Sequence, residues 1–173
     1  EAGGALFATL QNLSEGGTGF SAEGAQVDLS SLNGSDTRVA IQALVQLLTP
    51  PNGDGEKIND AMQLALSESL LGMNQFDPLQ ISPDMLVNII THYLSECIFQ
   101  QIMIDADRAF QKADTLEKST EAENALLQLV NAAVNKHMRP LFKSGGKSLS
   151  RTAVENIQKQ ALVAVWVEWE KTE

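Results

Sequence analysis

The stretch ISPDMLVNIITHYLSECIFQQIMIDADRAFQK, residues 81–112, decides how this chain folds. It contains no glycine, and its one proline, Pro83, stands near its start. Proline is well tolerated in the first turn of a helix, Ser82 is a favourable N-cap, and Asp84 suits the positive end of a helix. The stretch therefore predicts one long helix.

The apolar residues of this helix change sides along its length. At roughly 100° per residue, the apolar side chains of the first half fall in one arc, and those of the second half fall in the opposite arc. The change occurs near Ile98. Burying a large apolar side chain contributes roughly 1.5–3 kcal/mol, so neither face is expected to stay wet. We therefore expect different neighbours on the two halves, in an all-α, irregular helical bundle around this long central helix.

Four further helices are predicted from apolar residues at helical spacing and from start and stop signals. They cover residues 36–49, 58–72, 120–138 and 152–169. Pro140 is expected to stop the third of them, and Thr152 with Glu155 has the spacing of a capping box at the start of the fourth. SGGK, residues 144–147, is expected to be a loop. No strand with alternating polarity is predicted.

The first 35 residues have a different composition from the rest of the chain. A short apolar segment is followed by a stretch rich in Gly, Ser and Asn, which is typical of a flexible loop. We therefore divide the chain into residues 1–35, loosely attached, and a helical domain of residues 36–173. Because the chain begins with Glu1 rather than Met, it is expected to be part of a longer protein.

Composition argues against several classes of partner. The 173-residue chain has a formal net charge of −10, which disfavours unaided binding to nucleic acid or to anionic membranes. No apolar run is long enough to predict a membrane span. Cys97 is the single cysteine, so no intrachain disulfide can form. A lone apolar cysteine favours a reducing compartment, and we expect a cytoplasmic protein.

The sequence offers no recognisable catalytic set. His92 and His137 lie in separate predicted helices, and together with Cys97 they do not have the spacing of a zinc site. The SGGKS stretch, residues 144–148, lacks the first glycine of a phosphate-binding loop and follows a helix rather than a strand. We predict a protein that is not an enzyme and needs no metal or cofactor. An enzyme would require a site completed by a partner.

Some apolar residues exceed what one amphipathic stripe needs. The second half of the long helix and the last helix are rich in large side chains, which suit either an internal core or an interface anchored by aromatic residues. Other helices of this chain are the simpler explanation. The candidate interface residues are Ile98, Phe99, Ile102, Met103, Phe110, Trp166 and Trp169.

Five segments resemble a known family. They are GGALFATLQNL (3–13), DTRVAIQALVQLL (36–48), INDAMQLALSESL (58–70), FDPLQISPDMLVNIITHYLSECIFQQIMIDADRAFQKA (76–113) and ENIQKQALVAVWVEW (155–169). In these segments the chain resembles the QatB family, the B component of the Qat anti-phage defence system. The likeness covers most of the chain.

The resemblance implies specific partners. QatB-like proteins are encoded beside an ATPase, a TatD-like nuclease and an enzyme like 7-cyano-7-deazaguanine synthase, QatC. The family member is implied to be the protein partner of QatC, and its substrate, receiving a deazaguanine group at an N-terminal glycine. This chain starts instead at Glu1, so no modification site can be assigned, and Gly3 and Gly4 do not correspond to it.

Two functions remain open from the sequence. The first is a non-enzymatic defence protein whose helical body binds the synthase-like enzyme and whose flexible N-terminus reaches the active site. The second is a self-associating adaptor or structural protein, in which the surplus apolar surface makes a homodimer.

Overall fold

A computed structural model describes residues 2–22, 25–106, 116–146 and 149–171. Within these residues the chain forms helices, one antiparallel hairpin and two short 3₁₀ turns (Ser30–Leu32 and Pro78–Gln80). The longer elements are α1 (Ala2–Ser14), β1 (Gly19–Ala22), β2 (Ala25–Asp28), α2 (Thr37–Leu48), α3 (Gly55–Leu70), α4 (Pro83–Asp105), α5 (Leu116–Lys143) and α6 (Arg151–Glu170). The predicted all-α fold is confirmed.

Helix α4 lies at the centre of the bundle. It packs against α1, α3, α5 and α6. In its first half the exposed residues Asp84, Asn88 and His92 are spaced by four and form one stripe. If this exposed stripe continued into the second half of the helix, it would reach the side on which Ile98 and Ile102 lie. Both of these residues are buried. The predicted change of face is thus confirmed, and other helices of this chain surround α4.

The predicted helix starts are set by side-chain caps, with one correction. The Ser82 hydroxyl accepts a hydrogen bond from the Met85 amide at 3.1 Å, and Pro83 is the first helical residue. Asp36 caps α2 in the same manner. The cap of α6, however, is Ser150 rather than Thr152. Its hydroxyl accepts from the Ala153 amide at 3.1 Å, because the chain is still extended at Ser150 and already helical at the next residue.

Pro140 does not stop α5, contrary to the sequence prediction. The helix continues to Lys143, although proline lacks the N–H of one helical hydrogen bond. Met138 and Leu141, on either side of it, are buried, so packing holds this turn in place. The turn that ends the helix is formed by Gly145 and Gly146, which have positive φ. Their amides bond to the last helical carbonyls in the Schellman arrangement, within the loop that the sequence predicted.

Helix α1 is closely packed, where the sequence predicted a loosely attached segment. Leu6 and Leu10 are fully buried in the common core, and the helix packs against α4 and α6. Gly3 and Gly4 explain why the sequence pattern was weak. A Cβ atom on Gly3 would lie 2.7 Å from Cε1 of Tyr93, so the absent side chain is what lets the two helices approach.

The segment that follows α1 contains a hairpin that the sequence did not predict. Strands β1 and β2 pair antiparallel, with Gly19 opposite Asp28 and Phe20 opposite Val27. The strand β2 is mostly exposed and shows no alternation of polarity, so it lacks the usual sequence signal. Leu29 and Leu32, just beyond it, are buried and attach this segment to the core.

The close approach of α1 to α4 gives a testable prediction. Gly3→Val should lower the free energy of unfolding by about 1–3 kcal/mol, because the new side chain overlaps the Tyr93 ring. Gly72→Val is the matched control, since a Cβ at Gly72 meets no atom within 4 Å. Urea unfolding followed by circular dichroism measures both. An unchanged midpoint for Gly3→Val would show that the first turn of α1 is not docked.

Candidate interaction surface and groove

The residues predicted to form an interface differ in burial in the structure. Ile98, Ile102 and Trp169 are buried and belong to the core. Phe99, Met103 and Trp166 are half-buried and pack against the edge of that core, so part of each side chain remains open to a partner. Phe110 lies outside the described residues.

An exposed apolar stripe runs along the second half of α6. Val163 is 62% exposed and Val167 is 48% exposed, and the half-buried Trp166 lies between them. At roughly 100° per residue these three positions share one side of the helix. We call Val163, Trp166 and Val167 the α6 stripe. It is the candidate interaction surface of this helix.

Sequence reasoning identified only part of this stripe. The segment ALVAVWV, residues 161–167, is apolar almost all round the helix, and the aromatic residue was preferred as an anchor. The buried side of this segment is formed by Ala161 and Val165, which leaves Val163 and Val167 outside. The only sequence feature that pointed to an exposed Val163 and Val167 was that the segment has more apolar residues than one buried side of a helix can hold.

A groove lies between the first residues of α1 and α3, the middle of α4 and residues 151–162 of α6. It consists of two adjoining cavities of about 430 and 180 Å³, which share Asp54, Ile58 and Gln158. Ala2, the first residue of α1, lines the larger cavity together with Tyr93 and Arg151. Leu162 of α6 lines the smaller one. The N-terminal end of α1 therefore begins beside an open groove.

Two ionisable side chains of α4, Tyr93 and Cys97, line this groove. Burial raises the pKa of the Cys97 thiol from 9.0 to about 11, and the neighbouring Tyr93 hydroxyl offsets part of that effect. Burial also raises the pKa of Tyr93. Both groups therefore stay protonated at neutral pH. A protonated thiol is a poor nucleophile and a poor metal ligand.

Three polar side chains of the smaller cavity are held by one another. The Lys57 ammonium lies 3.1 Å from an Asp54 carboxylate oxygen and donates to the Gln101 amide oxygen at 2.9 Å. His92 lies outside the groove, 3.1 Å from Glu68. Among the described residues, no three His, Cys, Asp or Glu side chains come close enough to hold a metal ion.

The environment of Cys97 predicts slow modification. At pH 8 the native thiol should react with iodoacetamide about 100-fold more slowly than in urea, because two pKa units reduce the thiolate fraction by that factor. Mass spectrometry of timed samples measures both rates. Because the folded pKa is the higher one, the contribution of Cys97 to stability should be constant below pH 9 and be lost as the pH rises through about 11. Equal native and unfolded rates would contradict the buried thiol.

In the part of the chain that the structure describes, no helix is both long and apolar enough to cross a membrane. Searches of curated proteins and of solved structures find no match to the chain. A family model described as QatB, the Qat anti-phage system associated protein QatB, matches residues 1–167. That match spans nearly the whole chain, including the central helix α4 and most of the last helix α6. The chain therefore belongs to the QatB family of proteins associated with the Qat anti-phage system.

Proposed function

We propose that this protein is a non-enzymatic, cytoplasmic component of Qat anti-phage defence that binds a 7-cyano-7-deazaguanine synthase-like enzyme, QatC, through its helical body. In its full-length form it is modified by that enzyme at its N-terminus. Membership of the QatB family supports the role in defence. The same family resemblance makes the Qat ATPase and the TatD-like nuclease further candidates for partners.

The α6 stripe is the observation that carries the binding proposal. Two large exposed valines beside a half-buried tryptophan leave apolar surface in water, which is a cost to the isolated protein that a partner removes. Tryptophan is the residue type that most often dominates binding energy at protein interfaces. Phe99 and Met103, also half-buried, are candidates to extend the contact on α4.

The position of α1 supports the modification proposal. Ala2, in the first turn of α1, packs against the edge of the core and also lines the open groove. Residues that precede this helix in the full-length protein would therefore leave the body at its surface. A segment attached at such a point can enter an active site that the rigid helices cannot reach.

A pair of valine variants tests the binding proposal. Val163→Glu places a charge in the α6 stripe and should weaken binding of the synthase-like enzyme at least about tenfold, because an unpaired charge would be buried in the contact. Val39→Glu is the matched control, since Val39 is 55% exposed on α2, which packs against α1 and α3. Both proteins are co-expressed with the tagged enzyme, and the co-purified amount and the affinity of each are measured.

Circular dichroism must show that both variants keep their helical content. If both variants bind the enzyme as the unchanged protein does, the α6 stripe is not the contact. Light scattering of the isolated chain distinguishes the alternative function. A stable homodimer that Val163→Glu dissociates would favour a self-associating adaptor, in which the stripe pairs with a second copy.

The modification is tested separately on the full-length protein. Intact-mass spectrometry should find a mass increase on the N-terminal peptide when the protein is co-expressed with the active enzyme, and none with an inactive enzyme. Val163→Glu should reduce the modified fraction in parallel with binding, because the enzyme is recruited through the helical body. A fully modified Val163→Glu protein would show that recruitment by the stripe is unnecessary.

A further inference from the structure

The chain contains two Asn-Gly sequences, at residues 33–34 and 52–53, and both asparagines are exposed. In such a sequence the backbone nitrogen of the glycine can attack the carbonyl carbon of the preceding side-chain amide, because glycine has no Cβ to hinder the approach. The reaction is spontaneous deamidation. Its rate depends on the hydrogen bonds of the two reacting groups, and these bonds differ between the two sites.

At Asn52 the attacking nitrogen is free and the carbonyl that it attacks is polarised. The Gly53 N–H has no hydrogen-bond acceptor among the residues that the structure describes. The Asn52 side-chain oxygen accepts a hydrogen bond from the Asp54 amide at 3.1 Å, which folds the side chain over the Gly53 peptide. A donor in this position stabilises the negative charge that develops on the oxygen when the nitrogen attacks.

At Asn33 the attacking nitrogen is held by a hydrogen bond. The Gly34 amide donates to the Phe76 carbonyl oxygen at 2.8 Å. Loss of the proton from this nitrogen would place a negative charge against that oxygen, so the bond must break before the nitrogen can attack. The Ser35 amide bonds to the Leu32 carbonyl rather than to the Asn33 side chain. Asn33 therefore has neither a free attacking nitrogen nor a polarised carbonyl.

We infer that Asn52 is a modification site, at which the side-chain amide is converted spontaneously to a carboxylate. The Gly53 nitrogen gives its proton to solvent and forms a bond to the side-chain carbonyl carbon of Asn52. The bond from that carbon to the side-chain nitrogen breaks, and the nitrogen takes up a proton and leaves as ammonia. Water then opens the five-membered succinimide at either carbonyl and yields aspartate or isoaspartate, with no change in oxidation state.

The modification changes the charge of the groove. Asn52 lines the larger cavity of the groove together with Ala2 and Asp54. The product places a second carboxylate next to Asp54 at the start of α3, where the end of the helix favours negative charge, so the fold is kept. The groove therefore becomes more acidic as the protein ages. This inference does not depend on the proposed function, since the reaction needs only the chain and water.

Timed incubation of the purified chain at mildly alkaline pH tests the inference. Trypsin cleavage after Arg38 and Lys57 separates the two sites into different peptides, and mass spectrometry measures the conversion of amide to acid in each. In the native protein Asn52 should react about 3- to 10-fold faster than Asn33, the range expected from the net contribution of one hydrogen bond. In guanidinium chloride the two rates should converge, because unfolding frees both glycine nitrogens.

Two variants assign the reaction to these groups. Gly53→Ala should slow the conversion of Asn52, because the added methyl group hinders the attack, and the fold should be kept because a Cβ at Gly53 meets no atom within 4 Å. Asn52→Gln should abolish conversion at residue 52 and leave the rate at Asn33 unchanged. Circular dichroism checks the fold of both variants.

Three outcomes would overturn the inference. They are equal native rates at the two asparagines, a faster reaction at Asn33, and a native difference in rate that persists unchanged in guanidinium chloride. The last result would attribute the difference to local sequence rather than to the hydrogen bonds of the folded chain.

Discussion

The fold depends on covering opposite sides of α4 in its two halves. An ordinary surface helix buries one stripe and leaves the other side in water, but α4 buries opposite sides in its two halves. The exposed Asp84, Asn88 and His92 show where the wet side of the first half lies, and Ile98 and Ile102 bury the continuation of that side. A single layer of helices cannot do this, so α1, α3, α5 and α6 enclose α4.

The same constraint explains the features that local sequence signals did not predict. The start of α4 was predictable because Ser82 and Pro83 act within one turn and need no distant partner. The continuation of α5 through Pro140 was not, because burial of Met138 and Leu141 against other helices outweighs one lost hydrogen bond. The docking of α1 was hidden for a related reason. A glycine such as Gly3 usually indicates a flexible chain. Here its missing side chain allows α1 to pack closely against Tyr93.

The candidate site shows a similar limit of prediction. The sequence indicated that the second half of α4 and the whole of α6 have more apolar surface than one neighbour requires. It could not decide which residues of an all-round apolar helix face inward, because Val165 and Val167 differ only in position. That choice depends on the direction from which α1, α4 and α5 approach α6. Trp169 was therefore a reasonable interface candidate and is buried, whereas Val163 was overlooked and is exposed.

The groove and the α6 stripe lie close enough for one partner to contact both. Gln158, Leu162 and Trp166 are spaced by four residues and form one row along α6. The first two residues line the groove, and the third belongs to the stripe. At about 1.5 Å of rise per residue, the row spans about 12 Å. A typical interface covers about 800 Å² on each partner, which is wide enough to include both ends of the row. An enzyme bound at the stripe would therefore have its own surface near Ala2, where α1 begins. Recruitment by the body and access to the N-terminus would then require one contact rather than two.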